Sequence, residues 1–174
     1  MINKVETGPN SKSVIGNDLS ERINFEIAKS QETNSGFFVI LLQMQNMPIF
    51  RKRRPPHVVN SLLREIQQAV RVAVHPSQHV SIFQDGLALV FNKIDVGQID
   101  TISARLVSLT QHVIRAGKYN DLSSRWTDII YEFLSPNKPS VLFTKVGWAI
   151  FPRDGKSPAE LVKRAFHHAI ELSR

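Results

Sequence analysis

The chain has 174 residues, with 22 Lys and Arg against 15 Asp and Glu and no cysteine, so its net charge is +7 at neutral pH and its isoelectric point lies near 10.0. Disulfides, iron–sulfur clusters, thiolate nucleophiles and cysteine-bound zinc are thereby excluded, which fits a reducing, cytoplasmic setting. The longest apolar stretch, Phe37 to Leu42, falls far short of the roughly 20 residues a membrane helix needs, so no membrane insertion is expected, and the length suits one domain with its own core.

Residues 1 to 17 are polar, lack the apolar run of a signal peptide, and carry Gly8-Pro9-Asn10-Ser11 and Gly16-Asn17 as breakers; they read as a flexible tail before a single domain over residues 18 to 174. From Asp18, which can cap a helix start, Leu19, Ile23 and Ile27 recur every four residues and predict a helix ended by Gly36. Phe37 to Leu42, continuous in apolarity and rich in β-formers, predicts a central strand buried on both faces. Pro48 to Pro56 reads as a basic loop closed by two prolines. Those prolines sit where a helix can begin, and Val59, Leu62, Leu63, Ile66, Ala69, Val70 and Ala73 give that helix an apolar face until His75-Pro76-Ser77 stops it.

Two short strands follow, His79 to Phe83 and Leu87 to Phe91. Gln84-Asp85-Gly86 separates them, and Asp-Gly is a hairpin signal because both residues tolerate positive φ. Ile99, Ile102, Leu106, Leu109 and Val113 predict a further helix with Gly117 at its C-terminal cap. Trp126 to Leu134 fits strand or helix. Val141 to Phe151 predicts a strand, Asp154-Gly155 a turn, and Ser157-Pro158-Ala159-Glu160 a helix start with Ser as cap, Pro first and Glu third. Leu161, Val162, Ala165, Phe166, Ala169 and Ile170 supply the apolar face of that last helix. The core order is β-α-β-β-α-β, an α+β ferredoxin-like fold, expected as an antiparallel sheet with helices packed on one face.

Few residues suggest chemistry. Arg51-Lys52-Arg53-Arg54 is the sharpest feature: the plain reading is a solvated loop, and the functional one a site for a phosphate-rich ligand or an acidic protein surface. It lacks interleaved aromatics, so no specific nucleic acid is expected. The six histidines show no clean metal spacing, and no metal or cofactor is expected. Met44 and Met47 read as cleft or core packing, Trp126 and Trp148 as core or interface anchors. There is no Gly-rich phosphate loop.

Several strings then resemble one family: Phe38-Val39-Ile40-Leu41-Leu42-Gln43-Met44-Gln45, the helix beginning near Val58, the hairpin Val80 to Phe91, and Val146-Gly147-Trp148-Ala149-Ile150-Phe151-Pro152-Arg153-Asp154-Gly155. Together with the order of elements they are similar to the GGDEF family, the diguanylate cyclases, which condense two GTP molecules into cyclic di-GMP on a palm-like ferredoxin fold. The resemblance runs from about Leu19 to the C-terminus. It places the family's signature on Phe83-Gln84-Asp85-Gly86-Leu87, its first-strand metal aspartate on Gln43, and its guanine-reading residues on Arg51 and Asn60. The phosphate-meeting lysine of the last helix falls near Ser173, and the inhibitory Arg-x-x-Asp site on Val74-His75-Pro76-Ser77. Of the metal carboxylates only Asp85 remains, itself read mainly as a turn residue, while a glycine stands where the family has a glutamate.

What the resemblance implies is therefore a degenerate domain with no catalytic residues. It would be a regulatory or interaction module in bacterial cyclic di-GMP signalling, with a protein partner and with a homodimer as an option. The alternative is a basic cleft around Arg51, Lys52, Arg53 and Arg54 that binds a nucleotide or other phosphate-rich ligand without turnover. A second alternative is residual diguanylate cyclase activity.

Overall fold

A computed structural model describes residues 17–92, 96–116 and 142–171. Along the chain it has α1 (Asn17–Thr33), β1 (Phe37–Gln45), α2 (Met47–Arg53), α3 (Pro56–Ala73), β2 (His79–Phe83), β3 (Gly86–Asn92), a turn of 3-10 helix (Val96–Gln98), α4 (Ile99–Ala116), β4 (Phe143–Phe151) and α5 (Pro158–Glu171). The expected tail, Gly117, the segment 118–140 with Trp126, Val141, Ser173 and the side chain of Ile170 lie outside the described residues.

The strands form one antiparallel sheet in the order β2-β3-β1-β4. This is the β-α-β-β-α-β arrangement expected, with β1 central, but the helices cover both faces of the sheet rather than one. Phe38, Ile40, Leu42 and Met44 of β1 pack against Val59, Leu62, Ile66 and Val70 of α3 and Leu106 of α4. Phe37, Val39 and Leu41 point the other way, against Leu19 and Ile23 of α1 and Leu161 and Ala165 of α5. The reason is local: side chains alternate along a strand, and β1 is apolar at both parities, so each face needs a cover. Fully burying each such side chain contributes about 1.5–3 kcal/mol.

Helix α5 lies very close to β4. A Cβ on Gly147 would sit 2.0 Å from the carbonyl oxygen of Ala165 and 2.5 Å from the nitrogen of Ala169. Leu161, Val162, Ala165 and Ala169 are buried as expected, whereas Phe166 is 39 % exposed. Its start follows the predicted pattern: Ser157 Oγ accepts from Glu160 N–H at 3.3 Å, while the Glu160 carboxylate reaches back to Lys156 N–H at 2.7 Å.

In the preceding loop, Asp154 Oδ2 accepts from Ile150 N–H at 2.8 Å, and Arg153 donates to both carboxylate oxygens at 2.9 Å. Burial pushes this carboxyl up, but the Arg153 hydrogen bonds, the Ile150 N–H and the charges of Arg153 and Arg164 outweigh it and hold it below the usual aspartate range.

Three local expectations change. First, α1 ends at Thr33, with Asn34 in the left-handed region at φ 49° and Ser35 N–H donating to Ser30 O; Gly36 is not its stop. Second, Asp18 lies inside the first turn rather than before it, and its carboxylate meets His79 of β2 at 3.2 Å. Third, the segment after β1 is not a loop. Asn46 turns the chain at φ 63°, Pro48 stands in the first turn of α2, and Arg51, Lys52 and Arg53 form its last turn, where the helix dipole favours cations. Seven residues are too few to show an apolar period, so the pattern leaves α2 unmarked.

Candidate functional site: a cleft at the hairpin end of the sheet

The β2–β3 turn is Gln84-Asp85, one residue earlier than Asp-Gly chemistry suggests. Gln84 takes the left-handed conformation at φ 51°, and Gly86 already opens β3. Gly86 is required for space. It lies opposite Gln43 of β1, and a Cβ there would be 1.8 Å from the carbonyl oxygen of Leu42. Met44 N–H donates to Asp85 O at 3.1 Å and ties the turn to β1.

Register then aligns one row across the four strands. Phe83 pairs with Gly86, Gly86 with Gln43, and Gln43 with Lys145 of β4. Directly paired residues share a face, so this row belongs to the side covered by α1 and α5. Beside it is an open cleft of about 250 Å³, lined among others by Gln43, Gln45, Asn46, Phe83, Gln84 and Phe166. Asp85 is the carboxylate on its rim, and Arg51 of α2 holds it, with Nε and Nη2 at 2.9 and 2.8 Å from Oδ1.

The basic run does not present four cations together. About 100° separates successive helical residues, and while Arg51 and Lys52 are exposed, Arg53 and Arg54 are half-buried. Leu87 turns into the core against α3 and α4. Asn60 lies on the exposed side of α3, and His75-Pro76-Ser77 forms the exposed connection to β2. His75 Nδ1 lies 2.9 Å from Ser77 Oγ; the His168 and Trp148 ring centres are 4.3 Å apart, and the Arg153 guanidinium lies 5.5 Å from the Trp148 ring centre. Among the described residues no group of three or more His, Asp and Glu could hold a metal ion. Met44 and Met47 are buried in the core, and Met44 also reaches the cleft.

Two residues escape sequence reading: Lys145, which becomes the β4 neighbour of Gln43 only through register, and Phe166, which lines the cleft but reads as core from its helical spacing.

No family model matches the chain, and no curated protein matches it. Solved structures do. A sensory box/GGDEF family protein from Caulobacter crescentus is 14% identical, with a TM-score of 0.65 and 91% of each chain covered. The GGDEF domain of YfiN from Pseudomonas aeruginosa is 16% identical, with a TM-score of 0.61 over 90% of this chain and 88% of that one. This chain has the GGDEF-domain fold. A third GGDEF domain, that of DgcB from Caulobacter crescentus, was solved in complex with c-di-GMP; it is 12% identical, with a TM-score of 0.61 over 89% of this chain and 84% of that one. At such identities the likeness is one of fold. Within that GGDEF fold, the hairpin Phe83 to Leu87 and the end of β1 at Gln43 together wall the cleft.

Proposed function

We propose that this chain is a GGDEF-fold domain without diguanylate cyclase activity, acting in cyclic di-GMP signalling by binding, with a protein as its partner. The observation that carries the reading is the row Phe83, Gly86, Gln43 and Lys145: it contains no carboxylate and ends on an ammonium. Cyclase chemistry needs anionic oxygens to hold Mg²⁺, a hard dication that neutralises triphosphate charge. An amide, a glycine and a lysine do not suit that ion. Asp85, the carboxylate that remains, is bound to Arg51. A glutamate at position 86 would require β1 and β3 to move apart, because the Cβ position there is already taken by Leu42 O.

A partner protein has a parallel among the neighbours: SiaD, a diguanylate cyclase from Pseudomonas aeruginosa, was solved in complex with its activator SiaC; it is 13% identical over 90% of this chain and 54% of that one. Freed from the need to bring two substrates together, a domain of this kind does not depend on a homodimer. Incubation of the purified protein with GTP and Mg²⁺ or Mn²⁺ tests the reading. Neither cyclic di-GMP nor pyrophosphate is expected, and formation of cyclic di-GMP would restore the residual-cyclase alternative.

A further inference from the structure

The helix at the start of the fold is held less firmly than its length suggests. α1 packs against β2, β3 and α5, and the residues it buries are Leu19, Ile23, Glu26 and Ser30. Only Leu19 and Ile23 of these are apolar, with half-buried Ile27 beside them. α3, a helix of similar length on the other face of the sheet, buries Val59, Leu62, Leu63, Ile66 and Val70. Burial of apolar surface is the main favourable term in docking a helix, so α1 is docked by much the weaker contact.

The polar groups under α1 weaken it further. Glu26 is 2% exposed, and its ion pair is with Arg22, one turn back on the same helix. Taking a carboxylate out of water is costly. Because both partners sit on α1, undocking returns the pair to water without separating it. Ser81 of β2 and Asn92 of β3 share their strand faces with Phe83 and with Ala88 and Val90, which belong to the core under α1. Ser81 Oγ, Asn92 Oδ1 and Arg22 Nε are buried without a hydrogen-bond partner among the described residues. A buried polar atom left unpaired favours the state that exposes it. The ion pair from α1 to the sheet, Asp18 with His79, has its aspartate 75% accessible, and such exposed pairs contribute little.

We infer that α1 is a releasable strap, which swings off the sheet as a unit about Asn34 and Ser35 while the four strands and the other helices stay folded. What it uncovers is apolar: Phe83, Ala88 and Val90. Phe83 also lines the cleft, so the docked and released states differ in one wall of that cleft. The device does not depend on whether the domain makes cyclic di-GMP.

Hydrogen exchange of the full chain, read residue by residue by NMR, tests this. Amides in the middle of α1, Ile23 to Lys29, should show protection factors lower by about 10-fold or more than those in the middle of α3, Leu62 to Gln68. Replacing the buried pair together, Arg22→Leu with Glu26→Leu, leaves no unpartnered charge and should raise α1 protection by about 10-fold with α3 unchanged. Ile23→Ala should lower protection in α1 alone. Equal protection of the two helices in the parent protein overturns the inference, and that comparison needs no variant to fold. A folded double-leucine variant with unchanged or lower α1 protection overturns it too, as does an Ile23→Ala variant in which α1 and α3 lose protection alike.

Discussion

The two ends of the sheet use polar side chains differently. At the end where β4 leaves the sheet, Asp154, Ser157 and Glu160 each accept a hydrogen bond from a backbone N–H. At the hairpin end, the side-chain ion pair of Arg51 and Asp85 is solvent-exposed, 43% and 39% accessible, and the cleft beside it is walled by amides and rings. Polar residues of the first kind are fixed by folding itself, because N–H groups at a helix start and in a turn have no partner within the helix or the sheet ladder. Those of the second kind satisfy no backbone donor and pair side chain to side chain in contact with solvent.

Five substitutions sharpen or break this contrast. The largest effects should come from the glycines that allow close approach. Gly147→Ala drives a Cβ into Ala165 O, and Gly86→Glu drives one into Leu42 O; each is expected to cost about 3 kcal/mol or more in denaturant unfolding. A stable Gly86→Glu variant that formed cyclic di-GMP would show that the cleft end is open to a metal site after all.

Asp154→Asn comes next, at about 1–2 kcal/mol at pH 7. Because the native carboxyl is held below the ordinary aspartate value, its stabilisation is present above about pH 4 and is lost as pH falls through the lowered native value. The stability gap between parent and variant should therefore close under acid conditions, and a gap independent of pH would refute the assignment.

Ser157→Ala removes the α5 cap and should cost about 1 kcal/mol. Arg51→Ala should have the smallest effect, under about 1 kcal/mol, because its pair with Asp85 is exposed. A loss comparable to that of Asp154→Asn would mean that the cleft end is as structural as the other.

Much of the fold is legible in the sequence because its cues are local. The apolar run of β1, the turn after Phe83 and the cap at Ser157 each declare themselves within a few residues. Even there the sequence separates two roles poorly: Gly86 reads as a turn residue but serves close packing, while Gln84 carries the positive φ. The covered second face was also implicit, since a strand apolar at both parities needs two layers. The site is less legible. Its composition depends on which residues of β1, β3 and β4 lie opposite one another, and register is a property of the pairing rather than of any one strand. The basic run is conspicuous in the sequence, yet winding it into α2 divides its charges, and the lysine beside Gln43 comes from a strand about 100 residues away.

The outer strand β2 limits how partners can attach. The carbonyl of Val80 accepts from Gln67 Nε2 at 3.1 Å and from Arg71 Nη2 at 3.0 Å, both on α3. An incoming strand would have to displace both donors before it could extend the sheet along this edge. Strand addition is disfavoured along β2, so recognition at this edge would reside in side chains rather than in backbone pairing.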